Sequence, residues 1–125
     1  MVSEPRALPG TASARDAGEL LTRPEVRAVF VVDGDLLTGV VTRKTLVARV
    51  VARGLDPTTT LLASIAEEPY YTIDPEVPLE DAFRFLEQHD AERVPVVETG
   101  RLIGVLSRSV LQRRLAEDEP PADPE

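Results

Sequence analysis

One stretch of the chain occurs twice, and this repeat constrains the fold more than any other feature of the sequence. Residues 29–43 are VFVVDGDLLTGVVTR and residues 94–108 are VPVVETGRLIGVLSR. Adding 65 to a residue number in the first copy gives its counterpart in the second without a gap, and the same offset pairs Asp16 with Asp81. Because a fixed internal period indicates repeated structural units, we expect two similarly built halves that pack on each other.

Each half has the same predicted order of elements, β-α-β-β-α. In the first half, apolar residues recur at helical spacing from Ala14 to Leu21, and two β-branched runs on either side of Asp33-Gly34-Asp35 predict a hairpin. A second helix is expected to begin at its N-cap, Thr42, and Ser107 is expected to cap the equivalent helix of the second half. Gly39 and its counterpart Gly104 interrupt the second hairpin strand, which indicates a bulge or a close backbone approach.

The segments outside the hairpins set the predicted domain boundaries. A short helix is expected within Leu61–Glu67, capped by a linker threonine, and a short strand within Tyr70–Ile73 leads into the second half. The predicted divisions are an N-terminal arm over 1–12, a first repeat over 7–53, a linker with a short helix over 54–69, a second repeat over 70–117, and a disordered acidic tail over 118–125.

Composition excludes several classes of function. The net charge of −8 and an aromatic content of only 4% argue against binding of a nucleic acid polymer. The sequence has no cysteine, no apolar run long enough to span a bilayer and no secretory signal pattern, so we expect a cytoplasmic protein without membrane partners. No nucleophile pattern accompanies His89, and no residues have metal-ligand spacing, so we expect neither an enzyme nor a metal site.

In its element order and in the run Gly-Val-apolar-Thr/Ser-Arg that both halves contain, the chain resembles the CBS domain, named for cystathionine beta-synthase. The resemblance covers about residues 7–117. It implies an α/β (α+β) fold in which two pseudo-symmetric β-α-β-β-α repeats pack by their sheets as one Bateman module, with two clefts between them. Many family members bind adenosine nucleotides in these clefts and form homodimers. The resemblance therefore implies a regulatory module with AMP or ATP as a candidate ligand and no other cofactor.

The resemblance also implies a nucleotide-binding cleft that combines both halves. Its residues would be Val40, Thr42, Arg43, Thr45, Thr72, Arg93 and Val94. In the family, the hydroxyl at the position of Thr42 often contacts ribose or phosphate; a plain helix cap is the structural alternative. Arg93 would meet phosphate, or would be a surface residue paired with Asp90 or Glu92.

A second cleft is expected to be empty. It would combine Val29, Val105, Ser107, Arg108 and Val110 with Ala7 and Ala28. Nucleotide-binding family members usually carry an aspartate three residues after the capping hydroxyl, where it grips both ribose hydroxyls. This chain has Thr45 and Val110 at the two equivalent positions. That departure leaves an alternative function, a ligand-free scaffold for protein–protein interaction.

Overall fold

The computed structural model describes residues 5–69 and 71–118. Its elements, in chain order, are β1 (Ala7–Pro9), α1 (Ala14–Leu21), β2 (Val29–Asp33), β3 (Leu36–Val41), α2 (Arg43–Leu46), a π-helical segment (Val47–Val51), α3 (Leu62–Ile65), α4 (Leu79–Gln88), β4 (Arg93–Glu98), β5 (Arg101–Ser107) and α5 (Arg108–Asp118). No helix in these two ranges has the length and apolar character that crossing a bilayer requires.

Each half has its own hydrophobic core on one face of its hairpin. Successive side chains of a strand point to opposite faces, so Val29 and Val31 of β2 are buried in the first core with α1. At the equivalent positions of β4, Val94 and Val96 are buried in the second core with α4. The predicted division into two similarly built halves is therefore confirmed, and the opposite face of each hairpin remains available for contact between the halves.

The strands form one sheet in the order β1-β2-β3-β5-β4. β1 is parallel to β2, and each hairpin is antiparallel. The two hairpins join where β3 and β5 begin, with Leu36 beside Arg101. Backbone hydrogen bonds from Leu37 N–H to the Gly100 carbonyl (2.9 Å) and from Leu102 N–H to the Asp35 carbonyl (2.8 Å) close this junction.

The predicted threonine cap of the linker helix is wrong. α3 begins after Leu61, which makes no side-chain capping bond. The linker threonines serve an earlier turn instead: the Thr58 hydroxyl donates to the Asp56 carboxylate (2.7 Å), and the Thr60 hydroxyl donates to the Asp56 carbonyl (2.7 Å). The bonds from the Thr58 hydroxyl and from its N–H lower the pKa of the Asp56 carboxyl.

In place of the predicted strand over Tyr70–Ile73, the described residues form a single parallel bridge. Ile73 pairs with Val96 through two backbone bonds, and the chain turns away at once because Asp74 accepts a hydrogen bond from the N–H of Glu76 (2.8 Å). Tyr70 lies outside the described residues. The predicted acidic tail begins one residue early, since α5 includes Asp118, and residues 1–4 of the arm and 119–125 of the tail also lie outside.

Gly39 confirms the predicted close approach. A Cβ atom at this position would lie 2.7 Å from the Cβ of Ala66 and 3.3 Å from the carbonyl oxygen of Glu67. The β2–β3 register also shifts between Val31 and Val32, as a bulge does. The glycine thus lets the linker lie directly on β3, where Val40 and Glu67 exchange two backbone hydrogen bonds of 2.8 and 2.9 Å.

Two glycine substitutions should have opposite effects on stability. Gly39→Ala forces the linker off β3 and should lower the free energy of unfolding by about 1–3 kcal/mol. Gly18→Ala, in the middle of α1, meets only Leu46 at 3.8 Å and should raise it by about 0.5–1 kcal/mol. Urea denaturation measures both values, and a Gly39→Ala protein as stable as wild type would contradict the close approach.

Candidate functional site

A cavity of about 490 Å³ lies between the two halves. Its apolar walls come from the hairpin faces that point away from the two cores. Phe30 and Val40 line it from the first half, and Pro95 and Val105 line it from the second. These four positions are two pairs related by the 65-residue offset. The cavity is therefore a direct product of the repeat, enclosed by equivalent faces.

The charges around the cavity are mostly positive. Two carboxylates, Glu25 and Glu67, line it. Four cationic side chains do so as well: Arg6, Arg27, Lys44 and Arg93. Within residues 5–69 and 71–118, these four cations have no ion pair. A cationic cavity on a chain of net charge −8 can attract an anion that the rest of the surface repels.

Strand directions explain why two of the cations lie near Thr42. Arg6 and Arg27 come shortly before the parallel strands β1 and β2, so they lie at the same end of the sheet. β3 runs antiparallel to β2, with Val41 opposite Val29, and so delivers Thr42 to that end too. Arg93 opens β4 in the second half and faces the same cavity.

A chain of hydrogen bonds runs from Thr42 to Glu67. Thr42 and Thr45 cap α2 reciprocally: the Thr45 hydroxyl accepts from the Thr42 N–H (3.0 Å), and the Thr42 hydroxyl accepts from the Thr45 N–H (3.3 Å). The two hydroxyl oxygens are 3.1 Å apart. Thr45 is 1% exposed, and its hydroxyl also donates to the Glu67 carboxylate at 2.6 Å. The predicted cap at Thr42 is confirmed.

The structure brings together only part of the predicted nucleotide cleft. Val40, Thr42 and Arg93 line the cavity. The other four residues do not line it. The Arg43 guanidinium donates to the Arg23 carbonyl (2.8 Å), and Val94 is in the second core. Thr45 is buried, and Thr72 is exposed. Ligand contact by any of these residues stays a prediction.

The residues expected in the second cleft divide in the same way. Ala28 and Val105 line the cavity that Thr42 lines, while Val29 belongs to the first core. Ala7 lies in β1 and is exposed. The Ser107 hydroxyl accepts from the Val110 N–H (3.3 Å), which confirms its capping role.

Arg108 makes the ion pairs that were considered for Arg93. Its guanidinium lies 3.7 Å from the carboxylates of Asp90 and Glu92. The alternative that assigned these two partners to Arg93 is therefore wrong for the described part of the chain. The side chain of Arg93 is directed to the cavity instead.

Sequence reasoning missed Arg6, Arg27, Lys44 and Glu67. The pattern did contain a signal for Arg6 and Arg27, because a charged residue one or two positions before a strand lies at the end of the sheet where a cleft opens. Glu67 gave no such signal, since its place depends on how the linker docks on β3. Tyr71 was also missed: it lines the cavity and its ring contacts Phe85 (5.5 Å) and His89 (4.2 Å between centroids). In residues 5–69 and 71–118, no three His, Cys, Asp or Glu side chains gather as a metal site would require.

The family model of the CBS domain matches the chain twice, over residues 1–52 and 62–117. The chain belongs to the CBS domain family, as a tandem pair. Hypoxic response protein 1 of Mycobacterium tuberculosis is 32% identical over 85 residues, which are 68% of this chain and 59% of that protein. The match thus spans less than two thirds of that relative. CBS-pair proteins are generally regulatory.

Solved structures show the same fold. The AcuB protein of Vibrio cholerae superposes with a TM-score of 0.80 at 23% identity, covering 97% of this chain and 95% of that one. A hexameric CBS-CP12 protein from bloom-forming cyanobacteria superposes with a TM-score of 0.64 at 27% identity, covering 98% of this chain and 73% of that one. The predicted fold class, two repeats packed as one Bateman module, is confirmed.

Thr45→Val tests the hydrogen-bond chain. The variant keeps the shape of the side chain but removes the acceptor for the Thr42 N–H and the donor to Glu67, so the free energy of unfolding should fall by about 1–3 kcal/mol. Thr59→Val is the control, because Thr59 is exposed and its hydroxyl makes one long bond of 3.4 Å; it should change stability by less than about 0.5 kcal/mol. Equal values for the two variants in urea denaturation would contradict the assignment.

Proposed function

We propose that the protein is a non-enzymatic regulatory module that binds an adenosine nucleotide, or a related anion, in the cavity between its repeats. The observation that carries this proposal is the set of four cations without ion pairs in the described ranges, on a chain that is acidic as a whole. Cations held close together cost stability unless an anion lies among them. A bound phosphate group would supply that anion.

The shape of the cavity supports a nucleotide over a small inorganic ion. Its volume of about 490 Å³ falls in the range of roughly 300–1,000 Å³ that is usual for small-molecule sites. Phe30, Val40 and Val105 provide apolar wall, and four cations line the same cavity. An apolar wall combined with cationic groups suits a molecule that has a flat base and a phosphate.

Regulation would follow from the position of the cavity. Both halves line it, so a ligand that contacts Phe30 and Arg93 together stabilises one packing of the halves over others. A ligand changes a conformational equilibrium only by its difference in affinity for the two states. The proposed output is therefore a change in how the halves, or two copies of the chain, pack.

Thermal denaturation with AMP, ADP and ATP tests the proposal. A nucleotide at 100 times its dissociation constant should stabilise the protein by about 2.7 kcal/mol, a rise of several degrees in Tm. Arg93→Gln should remove at least half of this rise, because it removes one cation of the cavity. Added salt should reduce the rise as well.

Arg101→Gln is the matched control for that experiment. Arg101 is exposed and pairs only loosely with Asp35 (3.6 Å) away from the cavity, so the rise should be unchanged in this variant. The proposal fails if none of the three nucleotides raises the Tm at millimolar concentration, or if Arg101→Gln reduces the rise as much as Arg93→Gln.

A second candidate function is a ligand-free scaffold for protein–protein interaction. The π-helical segment favours it, because Val47 and Val51 are 60% and 71% exposed, and Leu55 beyond it is 42% exposed. The counterparts of Val47 and Val51 in the second half, Gln112 and Ala116, do not repeat this apolar surface. We propose that this surface pairs two copies of the chain into a homodimer. The hexameric CBS-CP12 protein is a precedent for assembly of the fold.

Val51→Glu tests the dimer. Light scattering after gel filtration should give the mass of two chains for wild type and of one chain for the variant, because a charge in an apolar interface loses its hydration. Arg53→Glu, an exposed change nearby, should leave the mass of two chains. A wild-type monomer, or a Val51→Glu dimer, would contradict this use of the surface.

A further inference from the structure

The hydroxyl of Thr45 has no hydrogen-bonding capacity left for a ligand. A threonine hydroxyl donates one hydrogen bond and accepts two. Its proton goes to Glu67 at 2.6 Å, because bonds to a carboxylate are stronger than those between two hydroxyls. Its oxygen accepts from the N–H and from the hydroxyl of Thr42. Thr45, at the position of the family's ribose-binding aspartate, therefore makes all its hydroxyl hydrogen bonds within the protein.

This arrangement also determines in which direction the Thr42 hydroxyl donates its hydrogen bond. Since Thr45 has given its proton to Glu67, the proton of the Thr42 hydroxyl lies on the 3.1 Å contact to Thr45. The Thr42 oxygen accepts from the Thr45 N–H and keeps one lone pair for the cavity. Thr42 can thus accept a hydrogen bond from a ligand but cannot donate one to a phosphate oxygen.

Glu67 adds a second acceptor beside Thr42. Its side chain is 31% exposed and lines the cavity. A carboxylate has about four acceptor positions, and Thr45 fills one of them. Arg49, at 3.7 Å, is beyond hydrogen-bond length, and its guanidinium donates to the Ile65 carbonyl instead (3.2 Å). At least two acceptor positions of Glu67 remain for a ligand.

Thr42 and Glu67 therefore offer acceptors only, whereas the four cations that line the same cavity offer donors. Resting on the proposed function, we infer that Glu67, assisted by Thr42, binds the vicinal 2′- and 3′-hydroxyls of a ribose, and that the phosphate lies among the cations. Two neighbouring hydroxyls supply two donors to one carboxylate, while a phosphate there would meet like charge. Glu67, from the linker, is thus the residue that selects ribose over deoxyribose.

Isothermal titration calorimetry with AMP and ATP, each compared with its 2′-deoxy counterpart, tests the inference. Wild type should bind the ribonucleotide roughly 10- to 100-fold more tightly, the effect of one hydrogen bond to a charged group. In Glu67→Gln the amide oxygen can still accept from Thr45 while the NH₂ group faces the ligand, so the ratio should fall towards one.

Arg49→Gln is the matched control. It removes the neighbouring charge of Glu67 but leaves the carboxylate in the cavity, so the preference for ribose should persist. Melting curves without nucleotide check that both variants are folded. Equal binding of ribo- and deoxynucleotides by wild type, or an unchanged ratio in Glu67→Gln, overturns the inference and leaves the proposed function intact. Absence of binding by AMP and ATP overturns both.

Discussion

The 2.6 Å hydrogen bond from Thr45 to Glu67 is the contact on which the hydrogen-bond acceptors of the cavity depend. It joins the start of α2 to the linker, which is already tied to β3 by the backbone pair between Val40 and Glu67. Gly39 permits this docking because no side chain separates β3 from the linker. Together these contacts place a carboxylate beside Thr42 and leave the Thr45 hydroxyl saturated.

The repeat produces the shape of the cavity but not its chemistry. Equivalent hairpin faces supply the apolar walls, whereas the polar groups differ between the halves. Val110 stands where the first half has Thr45, and the residue that precedes Glu67 by the repeat offset is Val2. Arg108 is engaged by Asp90 and Glu92, so it contributes no cation to the cavity. A symmetric frame therefore holds a site whose acceptors and cations are not repeated between the halves.

The sequence predicted most of the fold because local rules decide it. Strand alternation and the caps at Thr42 and Ser107 depend on residues close together in the chain, and the 65-residue offset is visible in the sequence itself. The site was predicted only in part. Resemblance to the family placed Val40, Thr42 and Arg93 on the cavity, but Glu67 reaches it through a tertiary contact that no periodicity encodes. The linker threonines were mispredicted for a similar reason. The hydroxyls of Thr58 and Thr60 donate to Asp56 and do not cap α3.

The central claim is that the hydrogen-bond chain orients a nucleotide, with sugar hydroxyls at Glu67 and phosphate among the cations. A crystal structure of the protein with AMP measures this directly. The account predicts a ribose hydroxyl oxygen within about 3 Å of a Glu67 carboxylate oxygen and phosphate oxygens at Arg27, Lys44 or Arg93. Phosphate seated on the Thr42 hydroxyl, or AMP bound outside the cavity, would contradict it.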